Sequence, residues 1–180
     1  MMTLVDSTEL ETVKSDSAVA AELQRQPEVE NADSRKDNES AQRGFSTILV
    51  VDDFEPFRRL VFSILQQRTE FRVIGQATDG LEAVRKAEEL QPDLVLLDIG
   101  LPKLNGIEAA RSVRKFASHI KILFVSQQSS ADLVREALGL GARGYVLKSH
   151  AGTELLPAIE AVLGGKYFVG SGLDRGEFGA

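Results

Sequence analysis

Three carboxylates, a hydroxyl and an ammonium group stand out in this chain for what they could do together. Each follows directly on a short apolar run. Asp52 and Asp53 follow Ile48-Leu49-Val50-Val51, Asp98 follows Leu94-Val95-Leu96-Leu97, Ser126 follows Ile122-Leu123-Phe124-Val125, and Lys148 follows Tyr145-Val146-Leu147. Carboxylates crowded together repel one another and rise in pKa unless a cation sits among them. Hard oxygen ligands on a partly hydrated site suit Mg²⁺. A lone ammonium complements an incoming phosphoryl group as a point charge. A short hydroxyl such as Ser126 can hydrogen-bond one of its oxygens.

Taken singly, these residues have plainer readings. Asp52 or Asp53 alone reads best as a helix N-cap. Asp98 could be a turn residue before Leu101-Pro102. Ser126 alone is an ordinary loop serine, and Lys148 alone an ordinary solvated lysine. Their joint occurrence, each at the end of a successive apolar run, carries the weight. His119 and His150 have no second ligand beside them in the pattern, so exposed loop histidines are expected there rather than a metal site.

The apolar runs alternate with helical periods. Pro56 suits a first turn ahead of Leu60, Val61, Ile64 and Leu65. Asp79 with Glu82 three residues on resembles a capping box, and Asn105 with Glu108 repeats it. Residues 131–140 read as helical and close on Gly141, and a last helix is expected over 154–163, stopped by Gly164-Gly165. Phe71-Arg72-Val73-Ile74 adds a strand that ends without a chemically able residue. Five strand–helix units in strict alternation predict an α/β fold: a doubly wound, five-stranded parallel sheet in a flavodoxin-like three-layer sandwich. Continuous rather than alternating apolar runs fit strands buried on both sides. In such sheets ligands sit beyond the carboxyl ends of the strands, near the point where strand order reverses.

Composition bounds the rest. The 180 residues are 43% hydrophobic, enough for one ordinary core, and contain no Cys, which excludes a disulfide framework or a cysteine nucleophile. The net charge of −6 is uneven: residues 1–45 hold ten acidic and five basic side chains, and the remainder is nearly neutral. The first 45 residues are expected to form a disordered acidic arm, with at most a short helix over 18–25. Residues 46–169 form the expected domain, and 170–180 a short flexible tail. No basic stripe suits a nucleic-acid backbone. No secretory leader or membrane-spanning stretch is expected, so the reading is of a soluble cytoplasmic protein.

Residues 46–169 resemble the receiver domain of bacterial two-component response regulators, the CheY-like fold. The resemblance rests on the Asp52-Asp53 pair, on Asp98-Ile99-Gly100-Leu101-Pro102 with Asn105-Gly106 behind it, on Ser126, and on Tyr145-Val146-Leu147-Lys148. Gly141-Ala142-Arg143-Gly144-Tyr145 is similar to the NarL/FixJ branch. The resemblance implies that Asp98 accepts a phosphoryl group from a sensor histidine kinase or phosphotransfer protein. Asp53, Asp98 and the backbone carbonyl of Gly100 would hold Mg²⁺, with Asp52 assisting through water. Lys148 would steady the phosphoryl oxygens, and Ser126 would move to bind one. Tyr145 would then swing inward and alter an interaction face. The expected protein is a phosphoacceptor regulator, limited to phosphorylating and dephosphorylating itself, and a homodimer through the last helix is one expected assembly.

Several features depart from the family pattern. Ser149 stands where many receivers place a Pro after the lysine, which leaves open whether that peptide bond is cis. Pro157 falls inside the expected last helix. Only 17 residues follow that helix, too few for the helix-turn-helix domain usual in the NarL branch, so no direct DNA binding is expected of this chain. Two other functions compete: a degenerate receiver acting as a constitutive binding module, and a small Mg²⁺-dependent phosphohydrolase using Asp98 as nucleophile. Gly100 occupies the place where such hydrolases want a general acid.

Overall fold

The apolar runs that read as buried on both faces form the middle of one parallel sheet. A computed structural model of the chain describes residues 43–173. The expected acidic arm up to residue 42, its short helix over 18–25, and the tail from residue 174 lie outside the described residues. In chain order the elements are β1 (Ser46–Val51), α1 (Glu55–Leu65), β2 (Phe71–Ala77), α2 (Gly80–Leu90), β3 (Leu94–Leu97) and α3 (Gly106–Phe116). They continue with β4 (Lys121–Ser126), α4 (Ala131–Gly139), β5 (Gly144–Leu147), a 3₁₀ turn (Lys148–His150), α5 (Ala151–Leu163) and β6 (Phe168–Val169).

The strand order is β2-β1-β3-β4-β5-β6, every neighbouring pair parallel. Successive strand residues point to opposite faces, and the core divides accordingly. Leu49, Val51, Val95, Leu97, Ile122 and Phe124 pack with residues of α2, α3 and α4. Ile48, Val50, Leu94, Leu96, Leu123 and Val125 pack with residues of α1 and α5. Helices therefore cover both sides, as the sequence predicts. The chain reverses direction across the sheet between β1 and β3, so the switch point lies beside Asp52 and Asp98.

Six strands replace the expected five. After α5 the chain turns at Gly165, whose φ of +78° favours glycine. Phe168 N–H then donates to Arg143 O at 3.0 Å and Gly170 N–H to Tyr145 O at 2.8 Å, laying β6 along the edge of β5. A two-residue strand shows no period from which it could be read. Residues 170–173 continue along the chain, with Leu173 buried in the same core cluster as Tyr145 and Leu147.

The helix starts follow their signals. Asp79 Oδ1 accepts from Glu82 N at 2.8 Å and Asn105 Oδ1 from Glu108 N at 2.9 Å. Helix α1 has Pro56 in its first turn and no side-chain cap. Helix α5 begins at Ala151, three residues earlier than expected, because the 3₁₀ turn runs straight into it. That puts Pro157 mid-helix on the exposed side, where one main-chain donor is lost. The buried face, Leu155, Ala158, Ile159 and Val162, holds the helix to the sheet. No described peptide bond is cis, so the bond between Lys148 and Ser149 is trans.

Candidate functional site

The sheet brings the ends of β1, β3, β4 and β5 to one edge, where Asp52, Asp53, Asp98 and Lys148 meet, with Ser126 alongside at the end of β4. Asp52 is buried, and its two oxygens face different partners. Oδ1 accepts from Phe54 N at 2.9 Å, and Oδ2 lies 2.6 Å from Lys148 Nζ. It does not cap α1 with its side chain. Asp98 is also buried: its Oδ1 accepts from Ile99 N at 2.7 Å and its Oδ2 from Lys148 Nζ at 3.0 Å. Asp53 is exposed, yet one oxygen each from Asp52, Asp53 and Asp98 lie within 4.8 Å of one another.

Lys148 is the cation between them, its side chain only 9% exposed. Its ammonium stands 4.8 Å from the centroid of the Phe57 ring, whose face attracts a cation. Burial pulls the Lys148 pKa down, but hydrogen bonds to Asp52 and Asp98 outweigh it and hold the pKa above its ordinary value. Burial raises the Asp52 carboxyl, with hydrogen bonds from Lys148 and Phe54 opposing it and the charge of Asp98 adding to it. Two buried carboxylates thus share one ammonium, and a third carboxylate stands at the solvent side.

Ser126 is fully enclosed at the end of β4, its Oγ accepting from Gln128 N at 3.3 Å. Tyr145 is buried as well. Its hydroxyl donates to Gln128 O at 2.7 Å, and its ring lies 6.2 Å from that of Phe124. Burial pushes the Tyr145 phenol up to about 12, against the opposing hydrogen bond with Ser126. The ring therefore already occupies an inward position, tying β5 to the loop after β4.

Gly100 is exposed in the loop after Asp98, and a Cβ there would stand 3.6 Å from Asp98 Oδ2. The far end of that loop is fixed by close approach. A Cβ on Gly106 would lie 2.0 Å from Asp98 O, and Gly106 N–H donates to Ile99 O at 2.9 Å. Only glycine lets the start of α3 press on the strand end that carries Asp98. Phe57 went unremarked in the sequence, although it precedes Val61 by one helical turn on the buried face of α1. His150 is half-buried rather than a free loop residue, its Nδ1 3.0 Å from Ser171 O.

The family model described as the response regulator receiver domain matches residues 48–160, more than half of the chain. The chain belongs to the response regulator receiver family. The transcriptional regulatory protein DegU of Brevibacillus brevis is 36% identical over 131 residues, which cover 72% of this chain and 56% of DegU. The chemotaxis protein CheY of Thermotoga maritima is 34% identical over 115 residues, covering 64% of this chain and 95% of CheY. Among solved structures, a LuxR-family two-component response regulator from Aurantimonas sp. SI85-9A1 is 35% identical with a TM-score of 0.66. That match covers 69% of this chain and 89% of that one. The chain spans little more than half the length of the transcriptional regulators it matches. Among the described residues of this receiver, no helix is long and apolar enough to cross a membrane.

The receiver's residues fit a hard divalent cation. Three carboxylate oxygens converge, one of them at solvent, and a half-exposed acid cluster of this kind matches the all-oxygen donor set of Mg²⁺.

Proposed function

We propose that this receiver accepts a phosphoryl group on Asp98 and signals through the surface that Tyr145 and the loop after β4 control. The observation that carries the reading is the meeting of Asp52, Asp53, Asp98 and Lys148 at one strand edge, with Ser126 and Tyr145 alongside. Asp98 Oδ2, which faces Lys148, is the oxygen for attack on phosphorus: the new O–P bond forms as the bond to the donor's leaving group breaks. Asp53, Asp98 and the Gly100 carbonyl are the candidate ligands of Mg²⁺, with Asp52 assisting through water. When bound, that ion neutralises charge on the phosphoryl oxygens. Lys148 is held protonated and supplies a fixed positive charge at the same oxygens. Ser126 offers a hydroxyl to one of them. To do so it leaves its contact with Gln128, which changes the anchoring of the loop that Tyr145 also holds. A phosphoryl group thus biases a two-state surface rather than driving a reaction on an outside substrate.

The donor in this reading is a sensor histidine kinase or a phosphotransfer protein, and self-dephosphorylation by water ends the signal. The test is intact mass after incubation with acetyl phosphate and Mg²⁺. One phosphoryl adduct on the natural chain, lost with a chelator and absent in Asp98→Ala, is expected. No adduct on folded protein would sink the reading and favour a constitutive binding module.

A further inference from the structure

The loop that carries Asp98 and Gly100 is also gripped from the side, by the start of α2. At Lys103 the loop makes a γ-turn: Leu104 N–H donates to Pro102 O at 2.7 Å, with Lys103 at a φ of +63°. A lysine in that region is strained and persists only where its surroundings hold it. Two contacts from α2 do so. Lys103 Nζ lies 2.5 Å from Asp79 Oδ2. Gly80 N–H reaches Pro102 O at 3.4 Å, and the chains are so close that a Cβ on Gly80 would stand 1.9 Å from Leu104 O.

The carboxylate of Asp79 is divided between two tasks. Oδ1 caps α2 through Glu82 N at 2.8 Å, and Oδ2 holds the lysine. Asp79 is buried while Lys103 is largely exposed, so the aspartate is the fixed member and the lysine the one it captures. The other end of the loop has its own anchor where Gly106 meets Ile99 and Asp98. Between these anchors lies Gly100, two residues before Pro102.

We propose that Asp79 and Lys103 act as positioning residues for the phosphoacceptor loop, fixing the turn at Lys103 and through it the Gly100 carbonyl beside Asp98. The inference rests on the proposed metal-assisted chemistry of the site. The lysine of this pair stands in solvent, where an ion pair adds little to stability; a merely structural role would leave metal binding unchanged.

Asp79→Asn separates the two tasks, because Asn caps a helix as well as Asp does but cannot hold a lysine as an ion pair. Calorimetric titration with Mg²⁺ alone should show binding weakened about 3- to 10-fold, at the low end of what outer partners of metal ligands contribute. The thermal midpoint should stay unchanged. Lys103→Gly tolerates the positive φ but loses the pair, leaves the cap untouched, and should weaken binding likewise. Lys103→Arg keeps the pair and should restore the natural affinity. Natural affinity in both Asp79→Asn and Lys103→Gly would overturn the proposal. If the natural chain itself takes up no Mg²⁺, the function proposed for the site fails first and this inference falls with it.

Discussion

At the edge of the sheet where the strands begin, Asp93 is buried and surrounded by donors. Its Oδ2 accepts from Thr47 N at 2.7 Å and Thr47 Oγ1 at 2.8 Å, and its Oδ1 lies 3.2 Å from Arg43 Nη2. Asp93 N–H in turn donates to Thr47 O at 3.0 Å, so the cluster staples the start of β1 to the start of β3. At the opposite edge, Asp52 and Asp98 are equally buried but share a single ammonium, with Asp53 crowding in. Burial is the same; the supply of donors is not. A carboxylate with three donors of its own serves the fold, and carboxylates that share one ammonium keep acceptor capacity for a ligand.

The sharpest break in that comparison comes from paired substitutions. Asp98→Asn should abolish phosphoryl uptake and leave the unfolding free energy equal or higher, because it removes one of three crowded charges. Asp93→Asn should leave uptake intact and cost roughly 1–3 kcal/mol, the penalty of leaving buried donors poorly matched. Urea unfolding with the phosphorylation assay alongside reads both. Equal loss of stability in the two variants would erase the distinction between the edges.

Lys148→Ala should cost at least as much stability as Asp93→Asn. It leaves Asp52 and Asp98 buried without their shared cation, at a cost of about 3 kcal/mol near neutral pH. The deficit should shrink as pH falls, because protonation removes the uncompensated charges. A deficit that is constant with pH would mean that lost packing against Phe57, not charge, is what the lysine supplies.

Smaller effects follow from single ionisations. Burial raises the Asp52 carboxyl above its ordinary 3.8, so the folded state holds that proton more tightly than the unfolded chain. Its contribution to stability is therefore full below about pH 4 and is lost as pH rises through the raised value. Asp52→Asn should remove that slope, seen as unfolding curves that diverge from those of the natural chain with rising pH. Tyr145 behaves alike at the alkaline end. With its phenol pushed up to about 12 against 10.0 unfolded, it contributes stability that is lost as pH rises between those values. Tyr145→Phe should flatten that loss, checked by unfolding monitored across the alkaline range.

Much of the fold and the core of the site were legible because both rest on strong local signals. Runs such as Leu94-Val95-Leu96-Leu97 are apolar at every position, which only a strand covered on both faces requires. Once strand ends are known, a parallel sheet gathers Asp52, Asp98, Ser126 and Lys148 without further information. What could not be read depends on particular tertiary contacts. The strand Phe168–Val169 is defined by hydrogen bonds to Arg143 and Tyr145, not by a pattern of its own. The early start of α5 depends on the 3₁₀ turn at Lys148, and Pro157 is tolerated because its side of the helix faces solvent. The pairing of Asp79 with Lys103 crosses 24 positions and hinges on one strained turn, for which residue type gives no cue.

The most direct test of the difference between the two edges is to trap the phosphoryl bond where it forms. Borohydride reduction after treatment with acetyl phosphate and Mg²⁺ converts an aspartyl phosphate to homoserine, which peptide mass mapping then locates. Conversion at residue 98 alone, with Asp93 untouched, is the predicted result. Conversion at Asp52, Asp53 or Asp93 instead, or none anywhere in folded protein, would contradict the assignment of Asp98 as the acceptor.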